Sequence, residues 1–556
     1  MLFRSRVLKE LRPLDSASYR SVDNGQKAQY LRGTRENMLR ALYAWVDNSS
    51  KTGADDRVFV LVGAAGMGKS TITSELCRYL NSSHPRRLGA SFFFTRGIQG
   101  TNSFRFFFNT IAFQLATLQP DALHDLIVHA SRKHLKEGGG SQQQQMELAC
   151  EDLVRAPLRE LAKDRSCPPI FIVVDALDEC TAENADIVPQ LLRLLLSCTE
   201  DPSSPLRIFL SSRPESVPVR KVLDIHNFVI RQTFHDVGDA FTIYRDIEAV
   251  IRDRLSKHPT TLAWSDADPS VVERLVVRSH GIFVYASTVA EFLLGQGDFG
   301  VKTLNETLMR LLSDDRHTGI ALERLDKLYL TVLETAFPEN SMSPALRDRI
   351  PLVLGIVALI QPTSWQQHTC TPRSMEALTG VSCEDSMSVL NQIRAVVAFD
   401  GGPDSVFYIM HTTFRDFLLD FDKMKLLPRH EFHVQPSQAH ATLSLGCMRM
   451  GMYFINKYFP VLLTDDPIAL ALRRRTDEGT MEIMVIEVVG RERTQIVEPD
   501  QSVYALRYAQ LHCIYHRELS LQSAEMTQVA ETFDRIGSFV LFRAFARAII
   551  KLWQYY

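Results

Sequence analysis

The sequence predicts an α/β domain, a parallel sheet with helices on both faces, followed by helical and winged-helix domains. Three observations carry that class. Five short, nearly continuous apolar runs recur between residues 57 and 232; strands covered on both faces read this way, whereas strands with one wet face alternate. Segments of helical spacing lie between the runs, and strands alternating with helices argue for a doubly wound sheet. Beyond about Phe234 the strand signal fades, and apolar residues fall at helical intervals along most of the remaining chain.

Composition bounds the answer. The 556 residues allow roughly three to four domains at about 150 residues each. Apolar residues make up 45% and charged residues 23%, an ordinary globular balance. A formal net charge of -3 provides no global field favouring nucleic acid or an anionic membrane, so neither is expected as a partner. Nine cysteines without CxxC pairs fit reduced thiols in a cytoplasmic protein rather than a disulfide framework. The opening "MLFRSRVLKELRPLD" is too charged for a signal peptide. The apolar run around Leu352 to Ile360 is too short for a membrane span.

The elements follow in order. Residues 1–51 are a lead-in loop and helix, with Met38, Leu39, Leu42, Tyr43, Trp45 and Val46 close to a 3.6 period. Residues 52–235 are the α/β domain. Its strands are "RVFVLVG", "GASFFFT", "PIFIVVD", "LRIFLSS" and "HNFVIRQ", and Ile72, Leu76, Tyr79 and Leu80 face inward from the helix after the first. "KEGGGSQQQQ", Lys136 to Gln145, reads as a low-complexity surface loop. Residues 236–342 are helical through "DAFTIYRDIEAVIRDRL" and "PSVVERLVVRSHGIFVYASTVAEFLL". Residues 343–425 place helical pieces before "SVFYIMH" and the helix "TTFRDFLLD"; three helices and a small hairpin make a winged helix. Residues 426–556 are again largely helical, and no repeat of 20–50 residues is evident.

The chemistry concentrates where strands end. Gly63, Ala64, Ala65, Gly66, Met67, Gly68, Lys69, Ser70 and Thr71 contain GxxxxGK[ST], the P-loop pattern, which makes the first domain an α/β P-loop NTPase domain. The glycines allow a tight turn and close backbone approach to phosphate. The loop amides then lie at the start of a helix whose dipole favours anions. Lys69 bridges β- and γ-phosphates, and the Ser70 hydroxyl ligates Mg²⁺. Asp175, ending the run "PIFIVVD", occupies the place of the second magnesium partner. Asp178 or Glu179 could orient or activate an attacking water; alternatively both are carboxylates at a helix start, interacting with its dipole. Arg213 after "LRIFLSS" is suited to reporting on a γ-phosphate, with a surface salt bridge as the plainer alternative.

These three motifs in this order resemble the NACHT family of signal-transducing P-loop NTPases, the NOD-like receptors of innate immunity. "YLRGTRENMLRALYAW", "SHGIFVYASTVAEFL", "DKLYLTVLETAF", "IMHTTFRDFLLD" and "YALRYAQLHCIYH" are similar to stretches of its fungal members, so the resemblance covers about Leu31 to His516. It implies that Thr34 and Arg35 lie on the adenine and ribose side, and that His411 contacts the β-phosphate of bound ADP. On its own position, His411 follows an apolar strand and precedes an amphipathic helix, so capping that helix or bonding within the core are the alternatives. The pattern departs in two ways. Phe283 stands in "GIFVYA" where related receptors carry a proline against the base, and the usual Trp-Asp or ankyrin repeats and N-terminal effector domain are missing, the mark of a short form or a fragment.

The function the resemblance implies is an ATP/ADP-binding switch with Mg²⁺, acting in fungal non-self recognition or programmed cell death. Exchange of the adenine nucleotide would drive opening and self-association, and an unknown protein effector or ligand would complete the circuit. Hydrolysis is expected to be slow. The competing classes are a conventional P-loop ATPase or small-molecule phosphotransferase and a nucleic-acid-binding winged helix. Against the latter, Asp416, Asp420 and Asp422 offset Arg415, Lys423 and Lys425 along "TTFRDFLLDFDKMK", which leaves no net positive charge for phosphate contacts.

Overall fold

A computed structural model describes residues 7–458 apart from 22–29, 49–56, 84–85, 96–103, 119–120, 137–140, 165–166, 181–186, 202, 215, 225–228, 234–239, 313–323, 340–343, 361–369, 421–428, 430–431 and 433. The chain divides into two compact units between Leu312 and Ser313, each described by itself.

Five parallel strands form the centre of the first unit: β1 (Val58–Val62), β2 (Leu88–Phe93), β3 (Ile170–Asp175), β4 (Leu206–Ser212) and β5 (Val229–Thr233), in the order β2-β3-β4-β1-β5. These are the five apolar runs of the sequence. In β1 to β4 the continuity has a physical cause, because alternate residues feed two separate cores. Val58, Val60, Phe92, Ile172, Val174, Ile208 and Leu210 enter one, and Phe59, Leu61, Phe93, Phe171, Val173 and Phe209 the other.

The lead-in helix α1 (Glu36–Asn48) and helix α2 (Lys69–Ser82), which follows β1, cover the second core. Trp45 meets Phe171 edge-on with ring centroids 5.2 Å apart, and Tyr43 stacks on Tyr79 at 4.1 Å. The other face is covered by α3 (Phe107–Leu118), α4 (Asp121–Lys136), α5 (Gln142–Cys150), α6 (Ala156–Leu161), α7 (Ile187–Ser197) and α8 (Val217–Leu223). The expected Lys136 to Gln145 loop is corrected at its two ends, residues 137–140 lying outside the described residues. α4 runs through Lys136 and α5 starts at Gln142, with Ser141 and Gln144 forming a reciprocal capping box. Serine three residues before glutamine is a helix start, and that local signal outweighs the biased composition.

After the sheet, α9 (Ala240–Leu255), α10 (Pro259–Ala267), α11 (Ser270–Ser279), α12 (Phe283–Gly295) and α13 (Val301–Leu312) complete the first unit, with α9 packed on α11 and α12. His280 and Gly281, at φ 47° and 83°, break "PSVVERLVVRSHGIFVYASTVAEFLL" into two helices.

The second unit comprises α14 (Arg324–Ala336), α15 (Pro344–Leu359), α16 (Pro372–Thr379), α17 (Cys383–Gln392), an antiparallel pair β6 (Val397–Ala398) and β7 (Tyr408–Ile409), α18 (Thr412–Leu419) and α19 (Pro436–Tyr458). α19 approaches α16 so closely that a Cβ at Gly446 would collide with the Leu378 carbonyl. No helix among the described residues is long and apolar enough to cross a membrane. Most of the expected helical region 426–556, including "YALRYAQLHCIYH", lies outside the described residues.

Candidate functional site

Three strands end at one edge of the sheet, and each delivers polar groups there. β1 enters the glycine turn with its register intact, the Gly63 amide donating to the Ser212 carbonyl at 3.3 Å. Gly66 and Gly68 take φ of 77° and 89°, a left-handed backbone that costs a Cβ-bearing residue about 1–2 kcal/mol. Gly68 is the N-cap of α2 and supplies no side-chain cap, and a helix start of this kind is suited to an anion. Ala64 is exposed, Ala65, Ser70 and Thr71 are half-buried, and Met67 is buried beneath the turn.

Lys69 folds back over the turn it closes. Its Nζ donates to the carbonyls of Gly63 at 2.6 Å and Ala64 at 3.0 Å. Burial holds its pKa below the usual lysine value, opposed by Asp178, Asp175 and Glu179, while Arg213 adds to the lowering. One buried cation thus shares its surroundings with three carboxylates.

Asp175, at the end of β3, is fully buried. Its Oδ1 accepts from the hydroxyls of Thr73 at 2.8 Å and Ser211 at 2.6 Å, and Ser211 Oγ accepts the Ala176 amide at 2.8 Å. Oδ2 is buried with no hydrogen-bond partner among the described residues, an unmet acceptor that needs a reason. A magnesium ion fits that reason. Among the described residues no three His, Cys, Asp or Glu side chains cluster as a metal cage, and magnesium characteristically takes one or two protein oxygens and fills its octahedron with water and phosphate. Ser70 and Asp175 would hold it, and its chemistry would be neutralisation of phosphate charge.

Asp178 and Glu179 lie in the tight turn after β3, which Ala176 enters at φ 53°. Both engage Arg213. Asp178 Oδ1 accepts the Arg213 amide at 2.9 Å, its Oδ2 lies 3.0 Å from Nε, and Glu179 Oε1 lies 3.6 Å from the other end of the guanidinium. Asp178 and Glu179 therefore do not cap a long helix, and Arg213 is held in an ion pair that is only a quarter exposed.

Thr34 and Arg35 belong to the turn before α1. The Thr34 hydroxyl donates to Leu31 within that turn. Arg35 reaches the phosphate loop itself, donating from its guanidinium to the Met67 carbonyl at 3.0 Å while the same group lies 4.2 Å above the Phe283 ring. Val284 and Gly66 also meet, since the Val284 amide donates to the Gly66 carbonyl at 3.0 Å. His411 belongs to the second unit. It stands at the N-cap of α18 in extended conformation, half-buried, and its ring makes no capping bond.

Thr73, Ser211 and Asp246, which accepts the Arg35 amide at 2.8 Å, went unread in the sequence. Thr73 was open to discovery, lying one turn beyond Ser70 on the same helix. Ser211 and Asp246 depend on strand order and on helix docking, which no local pattern encodes.

A glycine turn leaving β1, an uncapped helix behind it and a buried aspartate two strands away define a P-loop NTPase on an α/β sheet. The family model for Nephrocystin 3, N-terminal, matches residues 33–213, the span from the lead-in turn through the sheet to Arg213. No curated protein matches the chain. Among solved structures it is similar to Cdc6p from Pyrobaculum aerophilum, at 14% identity and TM-score 0.32 over 73% of this chain and 98% of that one. It is also similar to the Aeropyrum pernix ORC2 protein solved as ADPNP–ADP complexes, at 12% identity and TM-score 0.31 over 71% and 97%. For PCH-2 from C. elegans the figures are 13% identity and TM-score 0.29 over 50% and 71%.

Proposed function

We propose that the chain is an ATP/ADP-binding switch of the NACHT kind, a fungal NOD-like receptor relative acting in non-self recognition or programmed cell death. Its domains are the lead-in (1–51), the NTPase (52–235), a helical domain (236–342), a winged helix (343–425) and a C-terminal helical region (426–556). Lys69 and the loop amides hold the phosphates, and Ser70 and Asp175 hold Mg²⁺. Glu179 orients water, with Asp178 beside it. Arg213 exchanges its acidic partners for the γ-phosphate when ATP enters, and His411 binds the β-phosphate of ADP. ATP then favours an open form that self-associates and engages a protein effector.

The observation that supports a switch over a metabolic phosphotransferase is the bond from the Val284 amide to the Gly66 carbonyl. It ties the phosphate loop to the first turn of a helix beyond the sheet, so a change in the loop has a mechanical outlet. Removing a phosphate-bonded imidazole costs on the order of 1.5–3 kcal/mol. His411→Ala should therefore weaken ADP at least tenfold by calorimetry and raise the sedimentation coefficient through self-association. A variant that binds ADP normally and stays monomeric would remove His411 from the switch.

A further inference from the structure

Two successive carbonyls of the phosphate loop are gripped from outside it. Val284, in the first turn of α12, holds the Gly66 carbonyl, and Arg35 holds that of Met67. In a trans peptide plane the carbonyl and the following amide point in opposite directions. Fixing the carbonyls of Gly66 and Met67 therefore fixes the amides of Met67 and Gly68, two of the groups that the loop offers to phosphate.

Arg35 is itself over-determined. Its backbone sits at φ 53°, where residues other than glycine are strained, and its amide is secured by the buried carboxylate of Asp246 on α9. Arg35 is 8% exposed, and its guanidinium carbon lies 4.2 Å from the ring centroid of Phe283, the first residue of α12. Burial lowers its pKa to about 10, opposed by Asp246, so it stays charged at neutral pH. Planarity matters here, because a guanidinium can stack and donate at once while an ammonium cannot.

We propose that Arg35 is a positioning residue for the phosphate cradle, clamping the loop to α9 and α12, rather than a contact to base or ribose. This rests on the reading that the cradle binds a nucleotide's phosphates. A residue that shapes the cradle affects every ligand seated there, with or without a nucleoside. A residue that touches ribose or adenine affects only ligands that carry them.

The test is calorimetric titration of the full chain with ADP and with inorganic pyrophosphate, both with Mg²⁺, for wild type, Lys69→Ala, Arg35→Ala and Arg35→Lys. Unliganded thermal unfolding identifies which variants fold as wild type does. Both Arg35 variants should lose ADP and pyrophosphate by the same factor, about tenfold for alanine, the loss of one charge-assisted bond, and less for lysine. If alanine fails to fold, the lysine variant carries the comparison, since it keeps the charge and the backbone bond to Asp246. Loss of ADP with pyrophosphate unchanged would overturn the proposal in favour of a nucleoside contact. No loss of either in a folded variant would reduce Arg35 to a structural part. Wild type that binds neither ligand would overturn the nucleotide reading, and this proposal with it.

Discussion

At Asp175 two hydroxyls converge on Oδ1 while Oδ2 has no partner among the described residues, so the side chain is oriented by one oxygen and presents the other. If Oδ2 serves magnesium, loosening the oriented side should weaken the metal-dependent part of binding alone. Thr73→Val, close in shape, removes one donor worth about 1 kcal/mol. ADP affinity with Mg²⁺ should fall severalfold, while affinity in EDTA stays as in wild type. Equal loss in both conditions would place Thr73 in the loop's structure and not in the metal site. Asp175 was legible because it ends an apolar strand. Thr73 and Ser211 were not, because their importance lies in which oxygen they fill. Arg213 was legible as a cation at the right edge, but its pairing with Asp178 and Glu179 depends on β4 lying beside β3.

At the scale of elements, all five strands and α1 and α2 could be read directly; in β1 to β4 two cores force continuous apolar runs, and covering helices show one apolar stripe. Strand order was hidden. The insertion of β4 between β1 and β3 arises from tertiary docking, and it is what brings Ser211 to Asp175. Composition misled at α5, where a capping box opened a helix inside a polar tract. In the second unit, α19 carries a buried histidine. Burial, then the charge of Arg415, depress the His440 pKa from 6.5 to about 4. The unfolded chain therefore takes up a proton near pH 6.5 that the folded chain refuses until about pH 4. The stability this neutral ring contributes is present above pH 6.5 and is lost as pH falls through that window. His440→Gln, which cannot titrate, should unfold in urea with a shallower loss of midpoint between pH 7 and 5 than wild type. Parallel pH dependence in the two proteins would show that the ring titrates as it would in water.

For the whole molecule, magnitudes limit what any residue can do. Moving a two-state protein from 1:99 to 99:1 takes about 5.5 kcal/mol of differential binding. One charged hydrogen bond supplies about 1.5–3 kcal/mol, so neither His411 nor Arg213 is a sufficient latch. The remainder must come from several contacts moving together or from a second ligand. The bonds of Arg35 and Val284 to consecutive loop carbonyls would count toward such a set if they change with the nucleotide. Slow chemistry would suit this role: a P-loop site without a supplied arginine turns over at about 10⁻⁴ s⁻¹, and one with an arginine in cis, the part proposed for Arg213, at about 10⁻² s⁻¹. The glycine pattern made the site readable at once, whereas the contacts between loop and helices depend on tertiary docking.

The central claim, that the glycine cradle holds a nucleotide whose identity sets the assembly state, is tested most directly by releasing and identifying the nucleotide carried through purification. Mass is then measured by light scattering before and after exchange for a non-hydrolysable ATP analogue. The account predicts ADP at near one per chain in a monomer, and a larger assembly after exchange that Lys69→Ala fails to form. A chain that carries no nucleotide, or whose mass is the same with either one bound, would contradict it.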